Sequence, residues 1–268
     1  VAAVLETAAR APSLRNLQPW RWRVDRTGVH LYADWDRRAG DTPNDRRDVL
    51  LGCGAVLHHC AVAFAATGWH PRVHRISDPA DDSHLAVLEV IEQRPDEAQV
   101  ELAAAIPVRR ADRRPFSTER IPAGTIELLH ARAARMQVDL SVVPRSRWTR
   151  HDDGEVALRY ATGAGADPPA DEAGLLVLGT GRDDDPARLR AGEALSHLLL
   201  TAAALGLATC PLTEPLRDPR SRLMVACEVF DGHAHPQVLI RIGLPAPDAE
   251  PPPVVTRRPL HETTAWAD

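Results

Sequence analysis

The stretch RAPSLRNLQPWRW, Arg10 to Trp22, lies between a helical pattern and a strand-like one, where a plain turn would have sufficed. Upstream, VAAVLETAAR carries helical periodicity, and Pro12 stops it because the residue before a proline is pushed out of the helical region. Downstream, WRWRVDRTGVHLYAD alternates apolar and polar residues around Thr27 and Gly28, the pattern of a β-hairpin. A connector this short that holds a Pro, a Ser, an Asn, a Gln and two Trp is built to do more than reverse the chain.

Working outward, Asp45 to Thr67 is apolar over most of its surface and predicts a central helix, followed after Gly68 by strands around Pro71 to Ile76 and Leu85 to Ile91. This order is partly repeated. Setting Gly54 against Gly192, an offset of 192 − 54 = 138, aligns GAVLHHCAVAFAATG with GEALSHLLLTAAALG, with Gly54/Gly192, Leu57/Leu195, His59/His197, Ala65/Ala203, Ala66/Ala204 and Gly68/Gly206 in step. In the second copy the closing strand is QVLIRIG, Gln237 to Gly243. The halves are set at residues 1–104 and 105–268, an internal duplication in which one chain mimics a two-fold dimer. Between the helical copies, an Arg cluster leads into a helix with Pro122 near its start. From Val143 to Ala173 neither period is sustained, and the segment reads as a loop or lid. The tail, PAPDAEPPPVVTRRPL, is Pro-rich and extended.

Composition narrows the chemistry. At 268 residues, 44% apolar and 26% charged, the chain can bury a large core. No apolar run approaches a membrane span and no signal-peptide layout opens the sequence, so the expected compartment is the cytoplasm, without a membrane partner. A net charge of -5 argues against a nucleic-acid partner. Every one of the 32 basic residues is Arg, which excludes a Walker A lysine, a Schiff-base lysine and a lysine general base. Anions must be met by guanidinium or backbone N–H groups. The four Cys, Cys53, Cys60, Cys210 and Cys227, show neither zinc nor disulfide spacing and read mostly as buried thiols.

Three constellations can carry chemistry. RRADRRPF, Arg109 to Phe116, places four Arg around one Asp, a fork for phosphate in which Asp112 steadies a neighbouring Arg; a solvated surface run is the alternative. GLATCPLTEPL, Gly206 to Leu216, is an extended segment held by two prolines and suited to presenting N–H groups to a planar ligand. TRRPL, Thr256 to Leu260, adds an Arg pair on the tail. His58, His59 and Cys60 sit on an apolar helix without a spaced partner and read as core residues, His233 and His235 as loop residues, and neither set as a metal site. The Asp run DDDPARL reads as a helix cap. No GxSxG, GxGxxG or HExxH pattern occurs, and no catalytic dyad is assigned.

Together the APSxxNxQPW connector (Ala11 to Trp20), the RRxxRRxF element (Arg109 to Phe116) and ATCPLTEP (Ala208 to Pro215) resemble the nitroreductase superfamily of FMN-dependent flavoproteins. LQPWRWRV, LLGCGAVLHH, DRRPF and the RRPL tail are similar to the Acg family, the dormancy-associated, nitroreductase-like proteins of mycobacteria and related actinobacteria. The resemblance implies an α+β nitroreductase-like fold in which parts of two interlocked subunits complete each FMN site. It assigns Arg110, Arg113 and Arg114 to the phosphate, with Asp112 in place of a usual Ser or Thr; backbone of Leu212, Thr213 and Glu214 to the flavin N5 edge; charge from Arg257 and Arg258 to the phosphate; and Pro12, Ser13, Leu14 and Asn16 to the other face of the cofactor. Gln18, Trp20 and Trp22 would anchor the connector. Since each half carries only part of this set, the implied assembly is a monomeric pseudo-dimer with one FMN. Two departures stand out: the stretch from Val143 to Ala173 is shorter than the family leads one to expect, and Pro215 stands where Gly commonly follows Glu.

The activity implied is NAD(P)H-dependent reduction, through FMN, of a small aromatic or quinone acceptor, with the flavin carrying the chemistry. The alternative is an FMN-sequestering or storage protein, favoured by the Acg likeness because that branch is regarded as lacking ordinary reductase behaviour, with Trp148 and His151 closing a lid. A cofactor-free, Arg-rich regulatory protein is the third reading.

Overall fold

The computed structural model describes residues 1–76, 80–95, 97–160 and 171–267 as an α+β chain in two compact units. The first comprises residues 1–109, 184–200 and 255–268, the second residues 110–183 and 201–254. Packing thus groups the chain differently from the sequence halves, since pieces of the later chain join the first unit.

In the first unit, α1 (Ala2–Ala8) precedes the hairpin of β1 (Trp20–Asp25) and β2 (Gly28–Ala33), whose antiparallel register closes at Asp25 opposite Gly28. Burial alternates along β1, and Trp20 and Trp22 are the inward residues. The central helix α2 (Pro43–Ala66) starts two residues before the expected Asp45, because Thr42 and Asp45 form a reciprocal capping box with Pro43 at the first helical position. By length and composition α2 could cross a membrane, yet it is a mostly buried core helix. β3 (Trp69–Arg75), β4 (His84–Glu92) and α3 (Glu97–Ala105) follow; α3 lies outside the elements legible in the sequence. With the terminal pair α7 (Leu260–Thr263) and β11 (Thr264–Trp266), a five-stranded sheet forms in the order β11-β1-β2-β4-β3, β11 lying parallel to β1.

The second long apolar helix, α5 (Asp185–Ala204), belongs to this unit as far as Leu200. Its first turn is capped by Asp184, whose carboxylate accepts from the Ala187 N–H at 3.0 Å, the role expected of the Asp run. α5 meets α2 at the two glycines that the repeat aligns. A Cβ on Gly54 would lie 2.0 Å from the Leu189 carbonyl oxygen, and one on Gly192 2.2 Å from that of Leu51. Only glycine permits so close a crossing.

In the second unit, α4 (Thr125–Arg135), β5 (Asp139–Val142), a small hairpin of β6 (Trp148–Arg150) and β7 (Val156–Leu158), β8 (Gly174–Thr180), β9 (Ala208–Leu212), α6 (Pro219–Phe230) and β10 (His235–Gly243) build a four-stranded sheet in the order β5-β8-β10-β9. Its core joins Phe116, Trp148, Leu175, Val177, Phe230 and Leu239. The lid expectation is corrected here. Trp148 is fully buried among these apolar side chains, because β6 and β7 supply the period that the short, charge-interrupted sequence hides; it cannot act as a closing flap. His151 stays exposed at the hairpin turn, where its N–H donates to the Glu155 carbonyl at 2.8 Å. Residues 161–170 of that expected lid lie outside the described residues.

Candidate functional site

α1 ends at Ala8, four residues before Pro12, and the carbonyls that follow it turn toward the tail. Arg257 donates to the carbonyls of Ala9 (2.8 Å), Arg10 (3.1 Å) and Ala11 (3.4 Å), and Arg109 reaches the Arg10 carbonyl at 3.1 Å. Two guanidinium groups at a helix C-terminus satisfy both its orphan carbonyls and its dipole.

The connector then makes a tight 3-10 turn over Leu14–Asn16 in which Arg15 (φ 46°), Asn16 (φ 58°) and, beyond it, Gln18 (φ 50°) adopt left-handed backbone. Its polar groups turn inward. Ser13 Oγ accepts from the Gln18 N–H at 2.9 Å, and the Asn16 amide donates to the Thr256 carbonyl at 2.9 Å. Buried Gln18 donates to the Asn16 carbonyl at 3.2 Å and accepts from the Arg258 N–H at 2.9 Å. Arg258 also donates to the carbonyls of Gln18 (3.3 Å) and Glu262 (3.1 Å). Gln18, Trp20 and Trp22 anchor the connector as expected, all three buried. Pro12 and Leu14 are half-buried beside them. The tail arginines Arg257 and Arg258, which the resemblance assigns to phosphate, are here bonded to the connector's own carbonyls.

The arginine element is organised differently. Asp112 is buried and binds the Arg114 guanidinium through both oxygens (2.9 and 2.7 Å) while accepting from the Arg114 N–H at 3.0 Å. Burial pushes the Asp112 pKa upward, but these Arg114 hydrogen bonds outweigh it and hold the carboxyl below its usual range. Asp112 thus holds the Arg114 guanidinium in a fixed orientation. Arg113 and Arg114 keep 46% and 47% of their side chains exposed. Arg110 is partly buried at the start of the element.

ATCPLTEP runs beside it. Leu212 ends β9, paired with Leu239 of β10, and Asp112 N–H donates to the Thr209 carbonyl at 2.9 Å. Glu214 accepts from Arg113 at 3.1 Å and from the Thr213 N–H at 3.1 Å. The second unit therefore brings together Arg113, Arg114, Asp112, Thr213 and Glu214. Burial pushes the adjacent Cys210 thiol up to about 11, so it is no thiolate at neutral pH.

Several residues near this element escaped the sequence reading. Arg150, on β6, donates to the Arg113 carbonyl at 2.9 and 3.2 Å, and Gly154 in the hairpin turn packs so closely that a Cβ would lie 2.6 Å from that oxygen. The hairpin mistaken for a lid supports the arginine element from beneath. Its one sequence signal was the Gly after DD.

A second polar cluster lies where α2 and α5 meet. Ser196 Oγ is 2.7 Å from Nδ1 of both His58 and His59, and His59 Nδ1 lies 3.1 Å from the Ala55 carbonyl. Burial, with His197 adjacent, pushes His58 down to about 3; burial, with Arg109 and His58 nearby, lowers His59 as well. Both rings are neutral at pH 7, His59 fully buried and His58 partly so.

No family sequence profile matches the chain. It is 41% identical over 315 aligned positions to the "Putative NAD(P)H nitroreductase Rv3131" of Mycobacterium tuberculosis, covering all of this chain and 92% of that protein. The alignment is longer than this chain's 268 residues, so the relative carries stretches with no counterpart here. A second protein of that organism, "Putative NAD(P)H nitroreductase acg", is 32% identical over 315 positions, covering 98% of this chain and 94% of its own length. Among solved structures, one titled a putative nitroreductase from Anabaena variabilis shares the fold at TM-score 0.58 and 11% identity, over 88% of this chain and 82% of that one. Sequence relatives and shared fold agree: the chain belongs to the nitroreductase superfamily and, within it, to the relatives of Acg.

Proposed function

We propose that the chain is an FMN-binding flavoprotein that takes electrons from NAD(P)H and delivers them to a small aromatic or quinone acceptor. The observation that carries this reading is the arrangement in the second unit: two half-exposed guanidinium groups, one squared by a buried carboxylate, beside an extended backbone segment. The residues fit the group. Thr213 Oγ1 is buried without a hydrogen-bond partner among the described residues, a polar atom that a flavin edge would satisfy. Exposed ion pairs such as Arg113 with Glu214 contribute little to stability, so they exchange readily for phosphate.

On this reading Arg110, Arg113 and Arg114 bind phosphate, Asp112 holds Arg114 in orientation, and Leu212, Thr213 and Glu214 face the ring. The resemblance adds Pro12, Ser13, Leu14 and Asn16 from the connector, whereas Arg257 and Arg258, which it also assigns to the phosphate, serve on this reading to hold the connector's carbonyls. Bound FMN supplies hydride acceptance and electron transfer, and no side chain need act as acid or base. The duplicated, monomeric form with one FMN per chain is supported by the α2–α5 crossing, where aligned Gly54 and Gly192 touch and His58 meets Ser196, 138 residues on. Residues on a pseudo-two-fold axis meet their own counterparts in this way.

Purified protein supplied with FMN tests the reading. Uptake of the yellow cofactor with a stoichiometry of one per chain, followed by prompt bleaching with NADH or NADPH without oxygen, is the expected result. Persistent colour would make it an FMN-holding protein without turnover, and no uptake would sink both forms. Arg110→Ala combined with Arg114→Ala should abolish retention of FMN through gel filtration.

A further inference from the structure

Strand β10 carries one buried charge. Arg241 is fully buried, paired in register with Cys210 of β9 and Leu175 of β8. Its guanidinium lies 3.7 Å over the centre of the Phe116 ring. Nη2 donates to the Arg114 carbonyl at 2.9 Å and to Asp171 Oδ2 at 2.6 Å, and the same carboxylate oxygen accepts from the Phe116 N–H at 2.9 Å. The ends of the element are held by main chain, Asp112 N–H on the Thr209 carbonyl and Ser117 N–H on that of Leu244, each 2.9 Å. Its middle, immediately after Arg113, is held by this buried ion pair.

Stability alone does not explain the pair. Removing two charges from water is costly, and well-packed apolar replacements for a buried pair are often neutral or stabilising. Among the described residues Arg241 Nε and Nη1 and Asp171 Oδ1 have no hydrogen-bond partner, which raises that cost. What the pair supplies that apolar side chains cannot is a donor for one carbonyl and an acceptor for one N–H, two residues apart on the element that carries Arg113 and Arg114.

We infer that Arg241 and Asp171 are positioning residues for phosphate recognition, fixing the backbone of Arg114 and Phe116 so that the two exposed guanidinium groups face one anion. The inference rests on the FMN reading above. It predicts a discrimination that general scaffolding would not show, because riboflavin shares the ring of FMN but lacks the phosphate.

The test is titration of the full chain with FMN and with riboflavin, for the parent, Asp171→Asn, and the double variant Arg241→Met with Asp171→Leu. The double variant replaces the pair with apolar volume and guards against a single variant that fails to fold. The expected result is an FMN dissociation constant raised about tenfold or more in both variants, with that for riboflavin held within about twofold. Equal weakening for both flavins would overturn the inference, making the pair ordinary scaffold, as would unchanged FMN affinity. A parent chain that takes up neither flavin would instead overturn the FMN reading, and this inference with it.

Discussion

The connector and the arginine element both gather guanidinium groups, yet they use them differently. Around the connector, Arg257 and Arg258 meet backbone carbonyls, and Arg258 keeps only 15% of its side chain exposed. In the arginine element, Arg113 and Arg114 keep close to half of theirs in solvent, and their partners include the carboxylates of Glu214 and Asp112. The difference lies in the neighbouring backbone. A helix C-terminus followed by a left-handed turn leaves carbonyls without partners, and nearby guanidinium groups are drawn onto them. Beside β9 and β10 the sheet ladder consumes the strand carbonyls, and although Arg114 Nη1 donates to the Glu250 carbonyl at 2.9 Å, about half of each side chain stays open to an incoming anion.

Removing the available pair should have the largest effect. Arg113→Ala with Arg114→Ala is expected to weaken FMN binding on the order of 100-fold, since charge-assisted phosphate contacts are among the strongest hydrogen bonds. The melting temperature should fall only through Arg114, whose loss leaves the buried Asp112 carboxylate without its partner, because the exposed Arg113–Glu214 pair carries little stability. Flavin-fluorescence titration beside calorimetry reads both. A large loss of stability with normal binding would reverse the contrast.

Arg257→Ala should do the opposite. It strips donors from the end of α1 and is expected to cost roughly 2–3 kcal/mol in denaturant unfolding, the range for hydrogen bonds to a charged group. FMN affinity measured well below the transition should change little. A fall in affinity at unchanged stability would instead return Arg257 to the phosphate, as the resemblance implies.

Much of this was legible in the sequence, for definable reasons. Long elements with strong periods, such as α2 and the β1–β2 hairpin, could be read directly, as could the cap in the Asp run before α5. β6 and β7 could not, since each is three residues long and set among charges. Asp112 could be assigned its partner because that lies two residues away, whereas Arg241 and Asp171 meet across 70 residues and carry no local signal. The two kinds of arginine could not be told apart either: RR reads the same whether or not free carbonyls lie nearby in space.

The connector also shares its unit with the histidine cluster, which gives that region a pH dependence of its own. Folding lowers the pKa of His58 to about 3 from an ordinary value near 6.5, so the unfolded chain binds the proton first as pH falls. The stabilising neutral form is therefore fully present above about pH 6.5, and its contribution is lost progressively from there toward pH 3, by about 1.4 kcal/mol per pH unit for each such histidine. His58→Gln should flatten the dependence of unfolding free energy on pH between 6 and 4, measured by urea denaturation. A parallel curve for the variant would show that His58 is charged in the fold or reaches solvent.

The smallest expected effect separates two left-handed residues of the same turn. Arg15 (φ 46°) is exposed, and placing a side chain in left-handed backbone costs roughly 1–2 kcal/mol, so Arg15→Gly removes that strain and returns part of it as unfolded-chain entropy. The net expectation is a gain of roughly 0.5–1 kcal/mol. Gln18 (φ 50°) pays a similar conformational penalty, but its buried side chain bonds the Asn16 carbonyl and the Arg258 N–H, so Gln18→Gly should lose more than it relieves. Opposite signs for the two glycine variants in one denaturation series would show that the turn is held in its strained path by side-chain hydrogen bonds to the tail. Equal signs would place the cause in the backbone alone, and the tail arginines would then be free to serve the phosphate after all.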